Sequence, residues 1–235
     1  DLVKEIKHSD GEYKTDTLLT DSGNTVEYRL SLDNDGSVSR RTTAFEVDLS
    51  DRVPDGLTLT GIDQIVWNDG VGAGGSGTET NITSGTSFTA GDMTITPTFD
   101  VGTGTILIEV DQMPRNADIQ VFYSASTNNT VNPDTILTET AEVEYTSLPG
   151  TGTKINTVAE PTSNDTGSTV NGTASGDSLG ERDSTNGENP PASDQPGNDY
   201  AASSSVGVQI SPLEPTKSIA STSETHTIDD DVTIG

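Results

Sequence analysis

In the first two-thirds of the chain, large apolar residues recur at every second position in short runs. Thr25–Leu32 reads T-V-E-Y-R-L-S-L: Val26, Tyr28, Leu30 and Leu32 project one way, and Glu27, Arg29 and Ser31 the other. A period of two is that of a half-buried strand. The same pattern predicts a strand over Ala44–Leu49, with Phe45, Val47 and Leu49 inward. Further strands follow over Leu57–Ile65 with Val66-Trp67, Met93–Phe99, Thr105–Val110 and Asp118–Ser124. Glu139–Tyr145 places Ala141, Val143 and Tyr145 on one face. Gly, Asp and Asn punctuate these runs as turns. No window holds an apolar stripe at i, i+3, i+4, i+7, and the helix formers Ala and Leu are sparse. The expected fold is all-β, an antiparallel immunoglobulin-like β-sandwich.

Residues 151–198 change character. Thr, Ser, Asn, Gly, Asp and Pro dominate, and Ile155, Val158, Val170 and Leu179 are the large apolar residues. Such a segment cannot offset its own ordering entropy. It is expected to be a long Thr/Ser/Asn/Gly-rich excursion before the last strand, lying over the sandwich or partly mobile. Val206, Val208 and Ile210 then alternate, and 199–211 is expected to close the same module, which spans 1–211. Residues 212–235 begin with Pro212 and Pro215 and read as a linker to a further strand.

Apolar residues are 29% and aromatics 4% of the 235 positions, which fits a chain of which only part builds a core. The formal charge is -27. Such a surface repels nucleic acid phosphates and anionic lipid. It attracts hard cations, and calcium suits clustered carboxylates and carbonyls. Bulk solubility accounts for the same charge equally well. There is no cysteine, so disulfides and thiolate metal sites are excluded, and a secreted chain needs another brace, such as metal or an intramolecular amide. No apolar run reaches the length of a membrane span, and the chain begins at Asp1 without Met, as a processed product or excerpt does.

The tail Thr216–Gly235 echoes the head. Val3-Lys4-Glu5-Ile6 aligns with Thr216-Lys217-Ser218-Ile219, and Tyr13 falls near His226. A second copy of a first strand has no core of its own and suits another module. Two arrangements satisfy it: a tandem array, or copies of the chain joined head-to-tail by strand addition. Lys217, Ile219, Val232 and Ile234 are the expected inter-module contacts.

Pro215–Ile219 with Thr222-Ser223-Glu224 resembles the opening of a conserved repeat domain found in very large bacterial surface proteins, related to isopeptide-forming fimbrial and adhesin domains. Asp48–Leu57 resembles its D-x-L-P-x-G-L segment, and Thr140–Gly150 its late strand. Gly180–Asp183 and Asn198–Ser203 resemble its closing portion. The resemblance implies a sandwich repeated in series at the bacterial cell surface or in a secreted fibre, without catalysis. Relatives that form an internal Lys–Asn amide carry Lys on the first strand and Asn on the late strand. Lys4 and Lys217 are the matching lysines, but Glu139 stands where Asn is usual. An amide from Glu needs a different leaving group, which favours a solvated strand-edge lysine at position 4 over an amide.

Catalysis finds little support. His8 and His226 lie in polar stretches, and no G-x-S-x-G has a supporting context. The run Gly70–Gly77 lacks the lysine and the helix of a phosphate loop and reads as a hairpin tip. Calcium is the expected cofactor. Candidate ligands are Asp33 and Asp35 in a D-x-D-G turn, Asp48 and Asp51 beside Asp55, and Asp229, Asp230 and Asp231; each cluster also reads as a solvated turn. Sequons at Asn81, Asn128, Asn164 and Asn171 permit glycosylation. The leading function is an extracellular structural repeat of a fibre, stalk or sheath, stiffened by calcium. The alternative is an adhesin module that binds glycan or protein through its end loops, with Trp67 as an aromatic contact.

Overall fold

A computed structural model describes residues 1–34, 43–70, 75–128, 131–146 and 199–212. Asp35, the excursion 151–198, Lys217, Ile219, Asp229, Asp230, Asp231, Val232 and Ile234 lie outside the described residues.

The described chain is all strand. Its elements are β1 (Leu2–Lys7), β2 (Tyr13–Lys14), β3 (Leu18–Thr20), β4 (Thr25–Asp33), β5 (Ala44–Arg52), β6 (Leu57–Asn68) and β7 (Ser76–Glu79). They continue as β8 (Phe88–Ala90), β9 (Met93–Asp100), β10 (Thr105–Met113), β11 (Asp118–Thr127), β12 (Ile136–Thr146) and β13 (Asp199–Ile210). One sheet has the order β2-β1-β4-β11-β6-β7, and the other β3-β13-β12-β5-β10-β9-β8. The pairs are antiparallel except β13 with β3, which run parallel over three residues. Two such sheets facing one another form the immunoglobulin-like sandwich that the alternation predicts.

The inward positions are those of the apolar phase. Val26, Tyr28, Leu30 and Leu32 are buried from the first sheet, and Val47, Leu49, Ile106, Ile108, Val143 and Val208 from the second. Phe45 is a correction. Glu46 has a φ of 51°, and around it the ladder with β12 shifts register. The irregularity reverses the phase, so Ala44 is buried and Phe45 only half-buried.

The outer strands β2, β3, β7 and β8 are each two to four residues long. Short outer strands limit the unpaired backbone offered to other chains. At its tip the first sheet is held by a buried acid. A Cβ on Gly75 or Gly91 would collide with the Asp69 carboxyl, so both glycines let the backbone close over Asp69. Trp67 packs against the core with its indole across Gly77, where a Cβ would lie 2.7 Å from the ring.

Candidate functional site

On β1 the phase that buries Leu2 and Ile6 also buries Lys4, which is 0% exposed. This corrects the solvated strand-edge reading. An unpaired ammonium in an apolar core is prohibitively costly, so the surroundings must supply charge and acceptors. The second sheet does so from two strands. Asp51 on β5 follows Val47 and Leu49 in the inward phase, and Glu139 on β12 precedes Ala141 and Val143 in theirs.

Lys4 Nζ lies 2.5 Å from Asp51 Oδ2, 3.1 Å from Glu139 Oε1 and 2.8 Å from the Tyr123 hydroxyl. Three ammonium protons thus meet three acceptors. The Tyr123 hydroxyl lies 2.6 Å from Asp51 Oδ2 and 2.8 Å from Glu139 Oε1, so it links the two carboxyls. Asp51 Oδ1 accepts the Arg52 backbone N–H at 2.8 Å. Tyr28 stacks on Tyr123 at 5.0 Å and 12°, and Nζ lies 5.3 and 5.5 Å from the two ring centroids. The Lys4 backbone N–H donates to Ser204 Oγ on β13 at 2.9 Å. One residue therefore joins β1 to β5, β11, β12 and β13.

One cation faces two acids, and the excess negative charge is relieved by a proton. Burial pushes Glu139 up to about 7; Lys4 pulls it down and Asp51 pushes it further up. Burial likewise raises Tyr123 and Tyr28 well above the usual phenol range. Two buried oxygens, Glu139 Oε2 and the Tyr28 hydroxyl, lack a well-formed hydrogen bond among the described residues, although Glu139 is near enough to raise Tyr28.

The other sequence candidates lie apart. Asp48 is exposed on the outer face of β5, opposite in phase to Asp51, so the two do not share a ligand set. It sits between Glu109 on β10 and Glu144 on β12 in a lateral row of carboxylates. Desolvation on the sheet face, then Glu109, Glu144 and Glu46, lift it to about 6. Asp33 is exposed at the end of β4, and its backbone carbonyl accepts from the Asp1 amino group at 2.7 Å. His8 Nε2 lies 3.4 Å from Asp16. Among the described residues no three His, Asp or Glu side chains are placed to hold a metal ion. Tyr123 and Tyr28 were hidden in the sequence as ordinary core aromatics. Asp51 and Glu139 left a signal, because each occupies an inward position in an otherwise apolar phase.

Lys4→Met leaves two buried acids without their cation. It is expected to destabilise the fold by about 3–5 kcal/mol, measured by chemical denaturation at neutral pH. Glu139 binds its proton more tightly folded than unfolded. Its contribution is therefore full below its ordinary value of 4.5 and is lost as pH rises through about 7. Stability should fall over that window by on the order of 3 kcal/mol. Glu139→Gln should flatten most of the slope, leaving a smaller part to Asp48; an unchanged slope would show that Glu139 does not titrate there.

No family model matches the chain, and no curated protein matches it. Solved structures with a similar fold include the major pilin subunit of Bacillus cereus (10% identity, 89% of this chain and 40% of that one, TM-score 0.45). Another is the T6 backbone pilin of Streptococcus pyogenes (15% identity, 89% of this chain and 35% of that one, TM-score 0.43). A third is the collagen-binding domain of a Staphylococcus aureus adhesin (14% identity, 61% of this chain and 84% of that one, TM-score 0.39). The chain thus spans well under half the length of the two pilins to which it is similar.

Proposed function

We propose that this chain is a non-enzymatic structural module of an extracellular bacterial fibre, stalk or sheath, joined head-to-tail to copies of itself or to neighbouring repeats. The observation that carries the reading is the placement of Lys4. In a head-to-tail fibre, tension enters at β1 and leaves beyond β13. Lys4 ties β1 to β12, which pairs with β13 along eleven residues. The clamp therefore carries load from the first described strand to the last without passing through the rest of the sandwich. Lys217 and Ile219 repeat the Lys4–Ile6 spacing and suit the same inward phase in a further module. Calcium at Asp33 and Asp35 or at Asp229, Asp230 and Asp231 belongs to the same proposal, as a stiffener of turns and junctions.

A second reading concerns the clamp itself, and the orphaned Glu139 Oε2 favours it. An amide between Lys4 Nζ and Glu139 Cδ forms the N–C bond and breaks the bond to Oε2. The ammonium and the carboxylate together release one water, and the carbonyl oxygen left behind is the one near the Tyr123 hydroxyl. Intact-mass spectrometry separates the two readings: an unaltered mass means an ionic clamp, and a loss of one water that disappears in Lys4→Met means the amide.

Negative-stain microscopy tests the assembly. The full chain is expected to form fibres that loosen on calcium chelation, and removal of residues 212–235 should abolish them. Normal fibres from the truncated chain would sink the head-to-tail reading.

A further inference from the structure

The outward face of the first sheet carries a feature that a load-bearing module does not require. In register across it stand Glu5, Arg29, Phe122 and Gln64, from β1, β4, β11 and β6. Elsewhere this face carries Ser, Thr, Asp, Gln and the valines Val3 and Val66, and here Tyr13 of β2 meets Phe122 edge to face, with centroids 5.7 Å apart at 74°. The Arg29 guanidinium lies 4.7 Å from the Tyr13 ring centroid. Beside the two rings opens a groove of about 500 Å³ lined by Gln64, Asp63 and Ser124 as well.

We propose that this groove binds a neutral oligosaccharide. Three observations select that chemistry. The cations at the groove are already paired: Lys7 with Glu27 at 2.6 Å, and Arg29 with Glu5 at 2.6 Å. No cation is left for an anionic ligand, and a net charge of -27 repels one. The backbone beneath is spent on the ladders from β11 to β4 and β6, so an extended peptide cannot add as a strand; side chains alone must recognise the ligand. Those side chains combine half-buried aromatic rings with close-set donors and acceptors. The Gln64 amide, with two donors and an acceptor, has no partner among the described residues, and Asp63 Oδ2 accepts from Ser124 Oγ at 2.5 Å. A pyranose ring presents the complement: an apolar C–H face for the aromatic wall and vicinal hydroxyls for the amide and carboxylate. The site lies on a sheet face, away from the end loops, and does not depend on the fibre reading.

The full chain is titrated with cellopentaose and with chitopentaose, followed by backbone amide shifts in NMR. Saturable shifts confined to β2, β6 and β11 are expected with at least one of them, and none with the charged pentagalacturonate. Tyr13→Ala should weaken binding about tenfold. Gln64→Ala, whose side chain makes no hydrogen bond among the described residues, should weaken it comparably at unchanged melting temperature. Absence of saturation with both neutral sugars overturns the proposal. So does unchanged, wild-type affinity in both variants, equal binding of pentagalacturonate, or displacement of the sugar by a proline-rich peptide.

Discussion

A lysine ammonium at the centre of a β-sandwich sets terms that the rest of the core must meet. Removing that charge from water costs several kcal/mol even after relaxation, and only close, well-aligned partners restore it. Lys4 finds them on strands far apart in sequence, with Asp51 and Tyr123 at separations of 47 and 119 residues. The positions that hold these partners would otherwise be apolar. The two sheets are therefore registered against one another by an electrostatic contact as well as by packing. A purely apolar core tolerates small slips; a cluster in which each ammonium proton has one acceptor does not.

The same cluster couples the domain's stability to pH. Two acids and one base in a dry interior leave an unmatched negative charge, which a proton on Glu139 removes. The outer face of the second sheet has the opposite condition. There Glu109, Asp48 and Glu144 lie side by side with water beyond them, and their repulsion is relieved by solvent and salt. Desolvation leads in both places: it raises Glu139 in the core and Asp48 on the sheet face, and the neighbouring glutamates add to the rise at Asp48.

In the proposed fibre, the position of the cluster matters more than its strength. Hydrogen bonds of a sheet ladder can be lost one after another, whereas a contact that joins the first strand to the strand beside the last is loaded at once with all its neighbours. The outward face of the first sheet takes no part in the cluster.

Much of this was legible in the order of residues. Alternation identified β4, β5, β9, β10, β11 and β12 because one face of each meets a core and the other water. It placed Val26, Tyr28, Leu30 and Leu32 inward. It even carried Asp51 and Glu139, since both fall in the inward phase of their strands. Tertiary structure decided the rest. The bulge at Glu46 reversed the phase at Phe45, and the outer strands β2, β3, β7 and β8 are too short to show a period. Lys4 reads locally as an edge lysine because nothing near it in sequence neutralises it. Its partners are brought by strand order, and only the facing of the two sheets shows that a buried charge there is satisfied.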